Sequence, residues 1–214
     1  MEFNHVSVLL KETVDALKVH DGGLFVDCTA GGGGHSAEVL SRMNTGRLIL
    51  IDQDPDAIAT LNKRFENEDK VTVVHSNFEN LDSVLTSLGY EGGCADGIMA
   101  DLGVSSYQLD NGDRGFSYHK DAPLDMRMSG TGISAADLVN NLSQPELQKI
   151  LYMYGDEKFA PAISRNIVRA REKEPIKTTL QLAEVISSSV PSAARRDGHP
   201  ARKSFQALRI EVNG

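Results

Sequence analysis

The 214-residue chain holds no run of 18 apolar residues, so no helix of membrane-spanning length is written into it. Its start, Met1-Glu2-Phe3-Asn4-His5, lacks the basic opening and apolar stretch of a signal peptide. Cysteine is scarce: Cys28 and Cys94 stand alone, with no C-x-x-C spacing and no Cys/His cluster. That excludes a disulfide framework and predicts no metal site; a cytoplasmic location fits. Internal repeats and low-complexity tracts are absent as well. The net charge of −8 argues against a polyanionic partner only on average. Residues 1–157 carry 11 Lys/Arg against 25 Asp/Glu, whereas residues 158–209 carry 11 Lys/Arg against four acids. A nucleic acid responds to the local field, so the basic stretch keeps that partner open, alongside a plain solvated helix face.

What is present begins with alternating strand and helix signals. Leu24-Phe25-Val26, Leu48-Ile49-Leu50-Ile51, Val71-Thr72-Val73-Val74 and Ile98-Met99-Ala100 read as strands. The second is apolar throughout, as expected when both faces are covered. Helices are predicted from about Ser36 to Met43, from Asp54-Pro55 onward, and through Leu81, Val84, Leu85 and Leu88. This order implies an α/β fold with a doubly wound, Rossmann-like parallel sheet. Residues 103–132 then break the rhythm, rich in glycine and without a period, and read as a long functional loop.

Helical patterns resume at 134–141, capped by Ser134, and at 144–154, with Ser143 and Glu146 as a capping box and Gly155 as the stop. A basic helix over 159–173 and another opened by Thr178 and Gln181 follow. Ala207 to Val212 alternates like a fifth strand, after which the sheet looks incomplete and the chain truncated. The predicted organisation is a discontinuous cofactor-binding domain, 1–107 with 204–214, and an inserted, mainly helical domain over 108–203.

The segment from Asp27 to Ser36 follows a strand, carries Gly31-Gly32-Gly33-Gly34, and opens a helix. Glycines permit the sharp turn, and the helix start offers unpaired N–H groups to an anion. Asp52, 21 residues after Gly31, ends the second strand, where a carboxylate can take both hydroxyls of a ribose. Two cofactors fit, NAD and S-adenosylmethionine. The G-x-G-x-x-G fingerprint is not met, since Ser36 falls at the last glycine. Asp27 would repel a pyrophosphate but attract the ammonium of S-adenosylmethionine, which favours the latter over NAD and over a ligand-free turn. Phe78 is placed to pack on adenine or to serve as a core aromatic, and Asp101 to accept from an amine or to cap a helix.

Several long motifs make the chain resemble the bacterial RsmH (MraW) family, whose members N4-methylate a decoding-centre cytidine in small-subunit (16S) ribosomal RNA. They are His5 to Leu10, Asp27 to Ser36, Ile51 to Pro55, Asp101 to Ser106 with Gln108-Leu109-Asp110, Arg114 to Ser117, Ala122 to Met128, and Phe205 to Asn213. The resemblance implies that Gly33, Gly34, His35, Asp52, Phe78, Asp101 and Gln108 hold S-adenosylmethionine. It also implies that the inserted block recognises RNA, with 16S rRNA or the small subunit as partner and neither DNA nor membrane; a homodimer is compatible with it. Family members continue well past the position of Gly214.

A cytosine N4 amine is a weak nucleophile, so an acceptor for its N–H is needed. Asp101 is the candidate, with Ser105 second; neither cysteine is placed to attack a ring carbon. Tyr107, Phe116 and Tyr118 are candidates to stack on a splayed base, or simply to pin the loop. Arg165, Arg169, Arg171, Lys173, Arg195, Arg196, Arg202 and Lys203 are predicted phosphate contacts. An NAD-dependent enzyme and a non-catalytic RNA-binding relative are the competing readings.

Overall fold

The computed structural model describes residues 8–105, 108–109, 112–192 and 198–214. His5, Tyr107, Asp110, Arg195 and Arg196, named above, lie outside the described residues. The chain divides into two compact units, Met1–Gly103 and Val104–Gly214.

Unit 1 is built on four parallel strands, β1 (Leu24–Asp27), β2 (Arg47–Asp52), β3 (Val71–His75) and β4 (Gly97–Met99), in the order β3-β2-β1-β4. Strand side chains alternate between faces, and the two halves of the apolar run in β2 divide accordingly. Leu48 and Leu50 join Phe25, Val39, Leu61 and Phe65 on one side. Ile49 and Ile51 join Leu24, Val26, Val84 and Leu85 on the other. Helices α1 (Leu10–Leu17), α2 (Gly34–Ser41) and α3 (Pro55–Arg64) supply the first layer, and α4 (Leu81–Ser87) the second. The sheet is therefore wound on both faces. Asp54 caps α3 through Asp56 N–H at 3.0 Å, with Pro55 in the first turn, as the sequence indicates. Helix α1 was not legible in advance; its one fully buried residue is Val14.

Unit 2 holds α5 (Ala135–Asn141), α6 (Gln144–Gly155), α7 (Ala160–Arg171), α8 (Thr179–Ser189) and α9 (Arg202–Asn213). Ser134 with Asp137, Ser143 with Glu146, and Thr178 with Gln181 all form capping boxes. Two expectations are corrected. Ala207 to Val212 is not a strand but the second half of α9. Phe205, Leu208 and Val212, three and four apart, face the core, while Ile210, which strand alternation would bury beside Leu208, is exposed. Residues 204–214 therefore pack within unit 2 and add no strand to the sheet. Gly155 is the last helical residue and not the stop, a role taken by Asp156 at φ 45°. A Cβ on Gly155 would sit 2.7 Å from the Lys203 carbonyl oxygen, so its bareness lets α6 and α9 approach.

The glycine-rich segment ahead of α5 is irregular but tightly held. Met126, fully buried, has φ 64°, which costs a non-glycine residue about 1–2 kcal/mol. Asn213 at the end of α9 straddles it, donating to the Met126 carbonyl at 2.8 Å and accepting Met128 N–H at 2.7 Å. Arg114 donates to the carbonyls of Arg127 and Met128, and Arg209 to that of Phe116. Gly115 (φ 73°) lies against the Pro123 carbonyl oxygen, with which a Cβ would collide. Gly115→Ala should therefore destabilise unit 2 by about 2–4 kcal/mol, visible as a lower melting temperature; an unchanged melt would mean the turn relaxes freely.

Candidate functional site

Parallel pairing brings the ends of β1, β2 and β4 to one edge, with Asp27 opposite Leu50 and Met99 in register. Ligands of open α/β sheets sit at this edge, where the order reverses across the first strand. Here β1 lies between β2 and β4.

The turn after β1 closes through Gly33 N–H donating to the Ala30 carbonyl at 2.7 Å. Gly33 has φ 76°, and a Cβ there would meet Phe65 at 2.8 Å, so only glycine fits. Arg64 donates to the Gly32 carbonyl at 2.6 Å and holds the turn from outside. Helix α2 starts at Gly34 with no side-chain cap, which leaves its first N–H groups open to an anion.

Asp27 is 3% exposed, yet among the described residues it accepts Ser36 Oγ at 2.6 Å and Thr29 N–H at 3.2 Å and no other donor. Burial raises its pKa to about 6 against the pull of these two donors and of His35. The same burial, reinforced by Asp27, pushes the Cys28 thiol up to about 11, so it is not an available thiolate. Asp52 accepts Gly31 N–H at 2.8 Å on one oxygen and Asp54 N–H at 2.9 Å on the other. Burial moves its pKa upward although these hydrogen bonds oppose it. A carboxylate so held points its remaining lone pairs in fixed directions.

Asp101, two residues past β4, is anchored by its own N–H, which donates to Thr29 Oγ1 at 2.7 Å. Asp27, His35 and Asp101 line one cleft of about 140 Å³ in unit 1. Thr13 adds a hydroxyl, and Val8, Leu9 and Met99 give it an apolar wall. The His35 ring bonds the Val8 carbonyl through Nε2 at 3.1 Å, joining the helix start to the segment before α1. Ligand clefts commonly reach roughly 300–1,000 Å³, so this one takes one end of a nucleoside-sized molecule.

Of the residues singled out from sequence, His35 and Asp101 line the cleft, Gly33 and Gly34 form the turn and helix start that carry His35, and Asp52 is tied to the same turn through Gly31. Phe78 lies in a 3₁₀ turn (Phe78–Asn80) beyond β3, 36% exposed and not in the cleft wall, so it is not the core aromatic considered above. Ser105 and Gln108 belong to unit 2 and bond each other: Ser105 N–H donates to Gln108 Oε1 at 3.0 Å and Gln108 N–H to Ser105 Oγ at 3.1 Å. Arg165 and Arg169 are exposed one turn apart on α7, and Lys173 and Arg202 are exposed too. Arg171 instead donates to the Val139 carbonyl at 2.7 Å, and Lys203 is held on Asp156, so both serve unit 2 internally. Phe116 is fully buried and cannot stack on a base. Sequence reasoning missed Thr29, Ser36 and the Val8–Thr13 wall; a hydroxyl aimed at a distant carboxylate leaves no periodic signal. Among the described residues no group of three His, Cys, Asp or Glu could hold a metal ion.

A parallel sheet carrying a bare glycine turn, an uncapped helix start and strand-end carboxylates around one cleft defines a Rossmann-like cofactor-binding enzyme unit. The chain belongs to the MraW methylase family, whose model matches residues 2–214. It is 52% identical to the ribosomal RNA small subunit methyltransferase H of Clostridium botulinum (strain 657 / Type Ba4), over all of this chain and 69% of that protein. The protein of the same name from Symbiobacterium thermophilum is 51% identical, over all of this chain and 68% of its own length. Among solved structures, an rRNA methylase from Streptococcus thermophilus overlaps 37% of this chain and 49% of its own at 20% identity and a TM-score of 0.32, which adds nothing to the assignment.

Asp27 carries a higher pKa folded than unfolded. Its contribution to stability is therefore fully present below the ordinary value of 3.8 and is lost as pH rises through about 6. Asp27→Asn escapes that loss and should be more stable than wild type at pH 7 by something on the order of 1–3 kcal/mol, the gain shrinking toward pH 4. Urea titration at the two pH values measures it; equal gains at both would contradict the burial penalty.

Proposed function

We propose that the chain methylates small-subunit ribosomal RNA with S-adenosylmethionine, at the N4 amine of a decoding-centre cytidine. Unit 1 would hold the methyl donor and unit 2 would meet the RNA. The observation that carries the reading is the buried Asp27 carboxylate lining a cleft beside an uncapped helix start. An anion there selects a cationic amino-acid end and disfavours the pyrophosphate of NAD. The uncapped α2 N–H groups suit the carboxylate of the same ligand. Asp52 is oriented for ribose hydroxyls, and Phe78, at the same strand edge, is offered to an adenine. Gln108 is proposed as a further cofactor contact and Ser105 as a second acceptor.

S-adenosylmethionine supplies an electrophilic methyl group on a sulfonium sulfur. The residues of this chain supply position, from which most of the rate is expected. Asp101, fixed through Thr29, presents a carboxylate that can accept an N–H of the cytosine amine and so free its ring-delocalised lone pair. The neutral Cys28 thiol argues against attack on a ring carbon. Exposed Arg165, Arg169 and Arg202 are the proposed phosphate contacts, together with Arg195 and Arg196.

Affinity for S-adenosylhomocysteine, which retains the ammonium end, should be steady above pH 7 and fall as pH drops through about 6, where Asp27 gains its proton. Calorimetry of wild type and Asp27→Asn checks this: the variant should bind weakly with a flat profile, and a flat wild-type profile sinks the role. Asp52→Ala should weaken the same ligand by about tenfold or more, the scale of one charge-assisted hydrogen bond to a ligand. Asp101→Asn should lower kcat with KM little changed; NADH binding in place of S-adenosylhomocysteine would favour the dehydrogenase reading.

A further inference from the structure

Four rings in unit 2 form a ladder from core to solvent. Phe205, fully buried, meets Tyr118 edge to face, with centroids 5.5 Å apart and planes at 82°. Tyr118 is half-buried and lies nearly parallel to His199, at 4.4 Å and 12°. His119 leans on Tyr118 at 4.4 Å and on His199 at 5.7 Å. Both imidazoles are exposed.

The ladder is anchored at each step. His199 Nδ1 accepts Ala201 N–H at 3.2 Å, and the His199 carbonyl accepts Arg202 N–H at 3.0 Å, which ties the ring to the start of α9. Partial burial and the neighbouring His119 lower the pKa of His199, so it stands as a neutral, stackable ring. Phe205 belongs to the apolar core of unit 2 and Tyr118 packs against that core, while His119 and His199 are exposed. Two imidazole rings stacked on Tyr118 are thus presented to water. They are flanked by cations: exposed Lys120, 3.5 Å from Asp113, follows His119, and exposed Arg202 opens α9. Flat rings backed by a stack, with Arg202 and the Asp113-paired Lys120 following them in the chain, match an unpaired nucleobase.

We propose that His119 and His199, backed by Tyr118, form a stacking shelf for one unpaired base of a single-stranded RNA segment. The inference rests on the reading of the chain as an rRNA methyltransferase and assigns the flanking RNA contact that Phe116, being buried, cannot make.

The test uses fluorescence anisotropy of the whole chain with a short single-stranded ribo-oligonucleotide of mixed sequence, and with the same sugar-phosphate backbone lacking bases. The His119→Ala/His199→Ala variant should bind the base-bearing strand about fivefold or more weakly, the scale of one lost stack, with little change for the base-free strand. His199→Phe keeps a ring and should retain affinity. In the wild-type protein, irradiation of a 4-thiouridine-bearing strand should crosslink to the peptides around Tyr118-His119 or His199. Unchanged binding by the double alanine variant, while Arg165→Gln/Arg169→Gln weakens it, overturns the shelf and leaves the RNA reading standing. Crosslinks confined to other peptides overturn it equally. No RNA binding by a wild-type chain that binds S-adenosylhomocysteine overturns both.

Discussion

The carboxylate of Asp27 is the most demanding group in unit 1. It closes one of the two inner strands, almost wholly shielded from water, and its ionised form is held by one hydroxyl and one backbone N–H. Its surroundings are arranged accordingly: Ser36 is brought to it by the first turn of α2, which cannot form unless the chain reverses through Gly33. Gly33 in turn must lie flat on Phe65 and Leu61 of the α3 region, so the packing of one helix fixes the loop of another. Thr29 serves both ends, its N–H on Asp27 and its hydroxyl receiving Asp101. Two acids of the cleft are thereby set by a single residue between them.

Unit 2 meets a different constraint. Its irregular segment contains a buried methionine in a left-handed conformation, and such a residue persists only when its surroundings over-determine it. Asn213, Arg114 and Arg209 do so by taking the carbonyls that no helix or strand satisfies. The conformation is thus a product of distant side chains rather than of local preference. The motif Ala122 to Met128 and the motif Phe205 to Asn213, separate in sequence, are one structural object.

That coupling explains which parts of the molecule could be read from the sequence. The strands were legible because β2 is apolar on both faces, and the capping boxes because serine or threonine and an acid or amide three residues on share a local geometry. The glycine turn and Asp52 were legible as a strand-end turn with a carboxylate beside it because their spacing encodes strand, turn and helix. The fifth strand was misread because Leu208, Ile210 and Val212 alternate, while the helical spacing of Phe205, Leu208 and Val212 runs through the same residues; packing against α6 decides between them. Thr29 and Ser36 were illegible since their partners are fixed only when the sheet forms. Arg171 and Lys203 read as phosphate contacts because charge does not reveal that a carbonyl already holds it.

The Asn213 clamp has a bearing on how the chain comes into being. Its bonds to Met126 and Met128 span 87 and 85 residues. The four described strands all lie at or before Met99, so their mutual pairing draws on nothing from the helical unit. The loop holding Met126 differs: Arg114 can reach it early, but the Asn213 bonds to Met126 and Met128 must wait for the last turn of α9. During synthesis the four strands can therefore pair before the Met126 loop receives its clamp from Asn213.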